Sequence, residues 1–388
     1  MTNYETRDRK PSPSRLIEAL RDTGYSFETA IADLIDNSIA ALATDIHIQA
    51  YRDENSGEPV IYLLDNGIGM NAVELDDAMA YGSSERDEKR SLGKFGMGLK
   101  TASTSQARKL TVITKREGVV QSATWDIDHV VREDKWELIW GSSEEKEFGE
   151  MISELPNNNL KLIPISSEND AHCCPHCEFG NMTKSSYEEV TDHINEKHIV
   201  NDDSGTAVLW QNIDRIIKKY KDPNSEDAEK AWNKIMVRLK DHLMMVYDRY
   251  LDQNNTNVRT VKIMLNDEKL KGWDPFCKAL SDKTAMIKRD RMLVIDANGN
   301  EVAPFTITAY AIPSKSELSK EEMVLTKMNK ANNWQGIYVY REDRLLVAAD
   351  WFRLRAREAH ANKLRIELKF DYRLDEDFQL DFKKTRII

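Results

Sequence analysis

Residues 29–43 read TAIADLIDNSIAALA. Ile31, Leu34, Ile35, Ile39 and Leu42 recur at three- and four-residue steps, the period of an amphipathic helix with one face in a core. Asp33 and Asn37 lie one helical turn apart, so a carboxylate stands over a carboxamide on a single face. Such a pair among apolar neighbours is either a solvated outer face or the seat of chemistry. The residues downstream decide between the two.

Working outward, residues 1–13 are polar and proline-bearing, an N-terminal arm, and Ser14–Arg21 is expected as a short helix. After the central helix, Ile46–Tyr51 alternates like a strand, residues 54–59 form a turn, and Val60–Leu64 is a second, buried strand. That strand runs into Asp65-Asn66-Gly67-Ile68-Gly69-Met70. A carboxylate at a strand end followed by alternating glycines lets backbone pass close to a flat ligand while the carboxylate accepts its hydrogen bonds. Next comes YGSSERDEKRSLGKFGMGLKTAS, in which Gly93, Gly96 and Gly98 feed a helix-like run over Leu99–Ser105. Glycines at a helix N-terminus free backbone N–H groups to face an anion, the helix dipole adds to the attraction, and Lys94 and Lys100 add charge. The polar residues 71–92 are expected to fold over a bound nucleotide as a lid. A Rossmann reading fails, because no strand–glycine–helix unit opens a βαβ repeat.

With 388 residues the chain is long enough for two domains, and its net charge of −11 argues against a surface that is basic all over. No apolar run approaches the length of a membrane span and no signal-peptide core is present, so no membrane partner is expected and cytoplasm is the default. Four cysteines, three of them within five residues, suggest a metal site in a reducing compartment more than a disulfide framework.

Taken in order, the helix bearing Asp33 and Asn37, then DNGIGM, GKFGMGLKTAS and Gly205-Thr206 in SGTAVLW, resembles the GHKL ATPases. These include gyrase B, MutL proteins, heat-shock chaperones and sensor histidine kinases. The resemblance implies an α/β fold, a Bergerat-type α/β sandwich over residues 14–212, binding ATP and Mg²⁺. By that resemblance Asn37 binds the Mg²⁺ that bridges the phosphates, and Asp65 accepts the adenine amino group. Gly67 and Gly69 let the base approach, with Met70 beside them. Gly93, Gly96 and Gly98 wrap the phosphates, in company with Lys94, Phe95, Met97, Leu99 and Lys100, and Thr206 supports the adenine end.

Asp33 stands where the family's ATPases carry a glutamate that activates the attacking water. One methylene fewer shortens its reach by about 1.5 Å, and a misplacement of about 1 Å can cost on the order of 10²-fold in rate. Slow hydrolysis is therefore expected. Glu28, five residues earlier, points elsewhere on the helix.

In the remaining half, Ser225–Leu251 is a long periodic helix, and the sequences VRTVKIMLNDEKLKGWDPF, Met292–Ile312, Gly336–Val347 and Leu364–Phe370 look like strands. Residues 213–388 resemble the S5-like α/β transducer domain of MutL and gyrase B. The wording GIYVYRED, LRIELKF and LDFKKT is most similar to the MORC-type ATPases. The resemblance implies that a lysine of this domain reaches the terminal phosphate, with Lys384 the candidate and Lys383 the alternative. It also implies an ATP-dependent homodimer acting as a clamp, with DNA as the expected cargo. Basic segments at 215–221, 288–291 and 353–357 would line a groove for it, the alternative being that they are solvated faces. A chaperone-like ATPase acting on protein clients stays open, as does a histidine-kinase-type phosphotransferase, which the missing phosphoacceptor region disfavours. Ile388 follows Lys384 by four residues, and the natural protein is expected to continue.

Residues 171–198 fall outside this framework. Cys174 and Cys177 form C-x-x-C, and His193 and His198 form H-x-x-x-x-H, separated by fifteen residues. The arrangement resembles a two-Cys-two-His zinc finger, whose usual separation is about twelve, and implies Zn²⁺ held by two thiolates and two neutral imidazoles. Cys173, His172 and His176 compete as ligands. The finger helix is acidic, so a structural staple or a protein-docking surface is expected in preference to DNA reading.

Overall fold

The computed structural model describes residues 11–53, 56–81, 98–143, 204–216, 222, 224–296 and 298–378. Helix α1 (Pro13–Arg21) begins with proline in its first turn, where no intrahelical N–H is lost. Helix α2 (Phe27–Ala40) is capped by Ser26, whose hydroxyl accepts from the Thr29 amide. Ala30, Ile31, Ala32, Leu34 and Ile35 are all buried, so α2 is covered on most of its circumference, as a helix inside a layered core must be. Strands β1 (Asp45–Arg52) and β2 (Pro59–Asp65) follow, then α3 (Ala72–Met79), α4 (Gly98–Gln106), β3 (Ala107–Arg116) and β4 (Val119–Asp126). Helix α5 (Ile127–Glu133), β5 (Ile139–Ser143) and β6 (Gly205–Ile213) complete the first half.

Among the described residues one sheet runs β5-β4-β3-β6-β2-β1 and is extended by β7 (Lys262–Leu265) and β8 (Glu268–Lys269). All its pairings are antiparallel except β1 with β7. The helices share one core with Ile46, Ile48, Ile61, Leu63, Val112 and Trp210. Alternate strand residues Tyr62, Leu64, Ile113, Val120 and Ala207 gather in a separate, smaller cluster, as the period-two geometry of strands requires. This is the mixed α/β architecture that the sequence implied.

Helix α6 (Glu226–Val246) starts on the Ser225 cap with Glu226, Asp227 and Glu229 in its first turn, where they complement the helix dipole. Its buried stripe, Ala228, Trp232, Ile235, Leu239, Leu243 and Val246, lies in the same core as α2. Strands β9 (Ala285–Ile295), β10 (Glu301–Ala311), β11 (Gly336–Arg341), β12 (Arg344–Asp350) and β13 (Leu364–Phe370) form a second sheet, ordered β12-β11-β13-β10-β9. Helix α7 (Lys320–Leu325) lies between β10 and β11 in the chain.

Two expectations are corrected. The first sheet does not end at residue 212: β7 and β8, read as part of the second domain, pair onto β1, because the edge of β1 is completed by parallel bonding to Lys262–Leu265. The expected lid does not begin at residue 71. Asn71 and Glu74 form a reciprocal capping box, and Leu75, Ala78 and Met79 are buried, so residues 72–79 are a packed helix. Residues 82–92 of that segment lie outside the described residues.

Candidate functional site

The site is built along α2. Asp33 is 2% exposed, and the Tyr25 hydroxyl donates to its Oδ2 at 2.8 Å. Tyr25 stands just ahead of the Ser26 cap, and its backbone carbonyl accepts from the Gln106 side chain at 3.2 Å, which ties the helix entry to the end of α4. Gly98, the first residue of α4, faces the same carboxylate: a Cβ there would lie 3.1 Å from Asp33 Oδ2. The glycine thus lets a helix N-terminus approach the carboxylate closely. One turn further along α2, Asn37 is half-buried and its side-chain nitrogen is buried without a hydrogen bond. An amide with one end buried and unbonded is suited to a ligand, and the Oδ1 of such a side chain is a hard-cation ligand.

The next residue, Ser38, turns toward the other end of the site. Its hydroxyl donates to Asp65 Oδ2 at 2.7 Å, and the Gly67 amide donates to Oδ1 at 2.9 Å. Burial pushes the Asp65 carboxyl up to about 6, with the Ser38, Gly67 and Thr206 hydrogen bonds pulling the other way. Asp65 sits opposite Thr206 in the β2–β6 ladder. Thr114 joins the neighbourhood, since its hydroxyl accepts from the Met70 amide at 2.8 Å and lies 3.3 Å from the Thr206 hydroxyl. Gly69 adopts φ +66, and a Cβ there would stand 2.0 Å from the Lys115 carbonyl, so glycine is required by the passage of β3 whatever ligand binds.

Lys100 is the residue expected to add charge beside the phosphates. It is fully buried in α4 and its ammonium donates to the Ala78 carbonyl at 2.9 Å, so it clamps α3 onto α4. Leu99 and Met70 pack against the main core. The structure therefore brings together Asp33, Asn37, Gly98, Asp65, Gly67, Gly69, Met70 and Thr206. Gly93, Lys94, Phe95, Gly96 and Met97 lie outside the described residues, as do Lys383, Lys384 and the Cys174, Cys177, His193 and His198 set. Among the described residues no His/Cys/Asp/Glu cluster suited to a metal occurs, and Cys277 is a buried, unbridged thiol. Sequence reading missed Tyr25, Ser38 and Thr114. Only Ser38 carried a local signal, its place beside Asn37.

Behind the site α2 meets the second half of the chain. Asp36 is fully buried; Arg344 Nε of β12 donates to its Oδ1 at 2.8 Å, and the Tyr247 hydroxyl donates to the same atom at 2.8 Å and to the Ala32 carbonyl at 2.6 Å. His242 lies in this neighbourhood, and burial, then Arg344, pushes its imidazole down to about 4. Arg249 pairs with Asp343 and Glu367, and the Tyr250 hydroxyl donates to the Glu342 carbonyl at 2.8 Å.

Residues 25–159 match the family described as histidine kinase-, DNA gyrase B- and HSP90-like ATPase. The chain is 35% identical over 107 residues to the ATPase morc-1 of Caenorhabditis elegans, a stretch covering 28% of this chain and 12% of that protein. It is 31% identical over 122 residues to the ATPase MORC2B of Mus musculus, covering 31% and 12%. Against the ATPase MORC2 of Homo sapiens it is 30% identical over 119 residues, covering 30% and 12%. The matched stretch thus spans 12% of each relative's length. The resemblance read from the central helix and DNGIGM is borne out over residues 25–159.

Proposed function

We propose that this chain is a Mg²⁺-dependent, slowly hydrolysing ATPase that works as a nucleotide-gated dimeric clamp, with DNA as its cargo. The observation that supports it most directly is the sharing of α2 by two buried carboxylates. Asp33 faces the N-terminus of α4, the natural seat of a phosphate, while Ser38 on the same helix holds Asp65 at the glycine turn. On this reading Asp65 accepts the adenine amino group and Thr206 and Thr114 brace that end. Asn37 would hold Mg²⁺, which when bound would supply positive charge to the phosphates. Asp33 takes a proton from the water that attacks the terminal phosphorus, and ADP leaves with the bridging oxygen. Tyr25, donating to Asp33 Oδ2, holds that carboxylate in one orientation.

Lys384 or Lys383 then reads the terminal phosphate, and the Asp36–Tyr247–Arg344 contact carries the state of α2 into the second sheet. Cys174, Cys177, His193 and His198 would hold Zn²⁺, and their segment would serve as a structural staple or a protein-docking surface. Exposed Arg353 and Arg355 are suited to the cargo's phosphates. The test is ATP turnover by the intact chain and by Asp33→Ala, with size-exclusion chromatography in a non-hydrolysable analogue. Turnover that Asp33→Ala lowers, together with an analogue-dependent dimer, supports the reading. A chain that stays monomeric with saturating analogue over a wide concentration range ends the clamp, and calorimetry with no nucleotide uptake ends the whole reading. Salt-dependent DNA binding that ATP strengthens separates a DNA cargo from a protein client.

A further inference from the structure

Strand β9 is the edge of the second sheet and pairs, among the described residues, with β10 alone. Ten of its eleven residues are exposed, so neither face of the strand is covered. Met286, Ile287, Met292, Leu293 and Ile295 are exposed at 59, 60, 50, 42 and 58%. Lys288, Arg289, Asp290 and Arg291 sit between these apolar wings. A long exposed edge with apolar side chains is a template for a further strand, and proteins ordinarily shorten, cover or charge such edges. Here a register shift at Ile287 and the central charges give only partial protection.

The charge pattern selects the occupant. Two copies of β9 related by a two-fold axis pair antiparallel with a residue facing itself. Centring at Lys288, Arg289, Asp290 or Arg291 sets identical charges opposite each other, which is destabilising. Centring at Met292 or Leu293 sets Arg291 against an apolar residue. Centring at Ile287 or Val294 matches apolar residues but leaves Lys288, Arg289 and Arg291 without a carboxylate opposite, so no register of self-pairing satisfies all three cations. Nucleic acid would satisfy the three cations but leave five exposed apolar side chains with nothing to contact.

We propose that β9 is a docking edge for an extended acidic segment of a partner protein, which adds a strand to the second sheet. Its carboxylates sit opposite Arg289 and Arg291, which share one face of the strand. Its apolar residues cover Met292 and the stem of Lys288 on the other face, where Lys288 already pairs with Asp290 at 2.6 Å. Backbone hydrogen bonds along the edge supply affinity, and the cation cluster supplies selectivity in a chain whose net charge is −11.

The test uses the full chain with three fluorescein-labelled decapeptides of alternating Glu/Val, Gln/Val and Lys/Val, read by anisotropy and by amide hydrogen exchange over residues 285–295. The Glu/Val peptide is expected to bind at least about tenfold more tightly than the Lys/Val peptide, and to slow exchange in β9. The triple variant Lys288→Glu, Arg289→Glu, Arg291→Glu is expected to reverse that order and leave nucleotide binding unchanged. Equal binding of all three peptides overturns the proposal. So does slow exchange of residues 285–295 in the chain alone, which would mean that the edge is already covered by the chain itself or by a second copy. Duplex DNA that protects β9 while the Glu/Val peptide does not would reassign the edge to nucleic acid.

Discussion

Helix α2 carries two buried aspartates three residues apart, and the fold gives them different hydrogen-bond partners. Asp36 receives a guanidinium from β12 and a hydroxyl from the end of α6. Asp33 is met by a neutral hydroxyl from Tyr25 and by the bare Cα of Gly98. A carboxylate given a buried arginine is fixed in its charge and place, which suits a joint between halves of a molecule. A carboxylate held by a phenol beside a helix N-terminus keeps its chemistry available. On the proposed function, one helix separates mechanical and chemical roles by a turn of its face.

The contrast breaks most forcefully at Arg344. Arg344→Met leaves Asp36 buried without its cation and is expected to cost about 3–5 kcal/mol in denaturant unfolding. A loss under about 1 kcal/mol would show that the pair is no lock. Asp33→Asn should cost less stability than Arg344→Met while lowering ATP turnover by on the order of 10²-fold, measured at saturating ATP. If it unfolds the chain as Arg344→Met does, the two aspartates share one role and the contrast is lost.

Asp65 adds a pH-dependent arm. With its carboxyl near 6, affinity for ATP is expected to fall as pH drops through that value, by up to about tenfold per unit. Asp65→Asn should flatten the profile in calorimetric titrations. Stability moves the opposite way. Because Asp65 binds its proton more readily folded than at its ordinary 3.8, its contribution to stability diminishes as pH rises between 3.8 and about 6. His242, held below its ordinary 6.5 at about 4, contributes stability above 6.5 that is lost as pH falls toward 4. The two slopes oppose each other in the wild-type chain, so Asp65→Asn should expose the His242 acid sensitivity in thermal scans. Tyr25→Phe is the gentlest change. Removing one hydrogen bond of about 1 kcal/mol should lower kcat by about fivefold with KM unchanged. A shift in KM alone would place Tyr25 in nucleotide binding.

The sequence was most readable where chemistry and periodicity coincide. The helix of Asp33 and Asn37, the strand ending at Asp65 and the α6 stripe all appear within a few residues of their expected bounds. Partners supplied from far along the chain were not readable. Tyr25 meets Asp33 across a cap, Arg344 meets Asp36 across 308 residues, and neither contact has a local period. The contact of Lys100 with the Ala78 carbonyl was unreadable for a related reason, since charge in a sequence does not say which carbonyl a lysine will meet. The Lys288–Arg291 run read as basic, whereas its apolar neighbours gained meaning only once β9 was seen to be an edge.

The strand pair β7–β8, bonded to β1 after more than 200 intervening residues, has a practical corollary for anyone dissecting this chain. A fragment stopped at residue 212 would keep Asp33, Asn37, Asp65 and Thr206 yet lose α6, the strand that seals β1 and the candidates Lys383 and Lys384. It should come out of cells as inclusion bodies, whereas one carried through Leu270 retains α6 and that strand and should be more soluble, although it still lacks the Arg344 that meets Asp36.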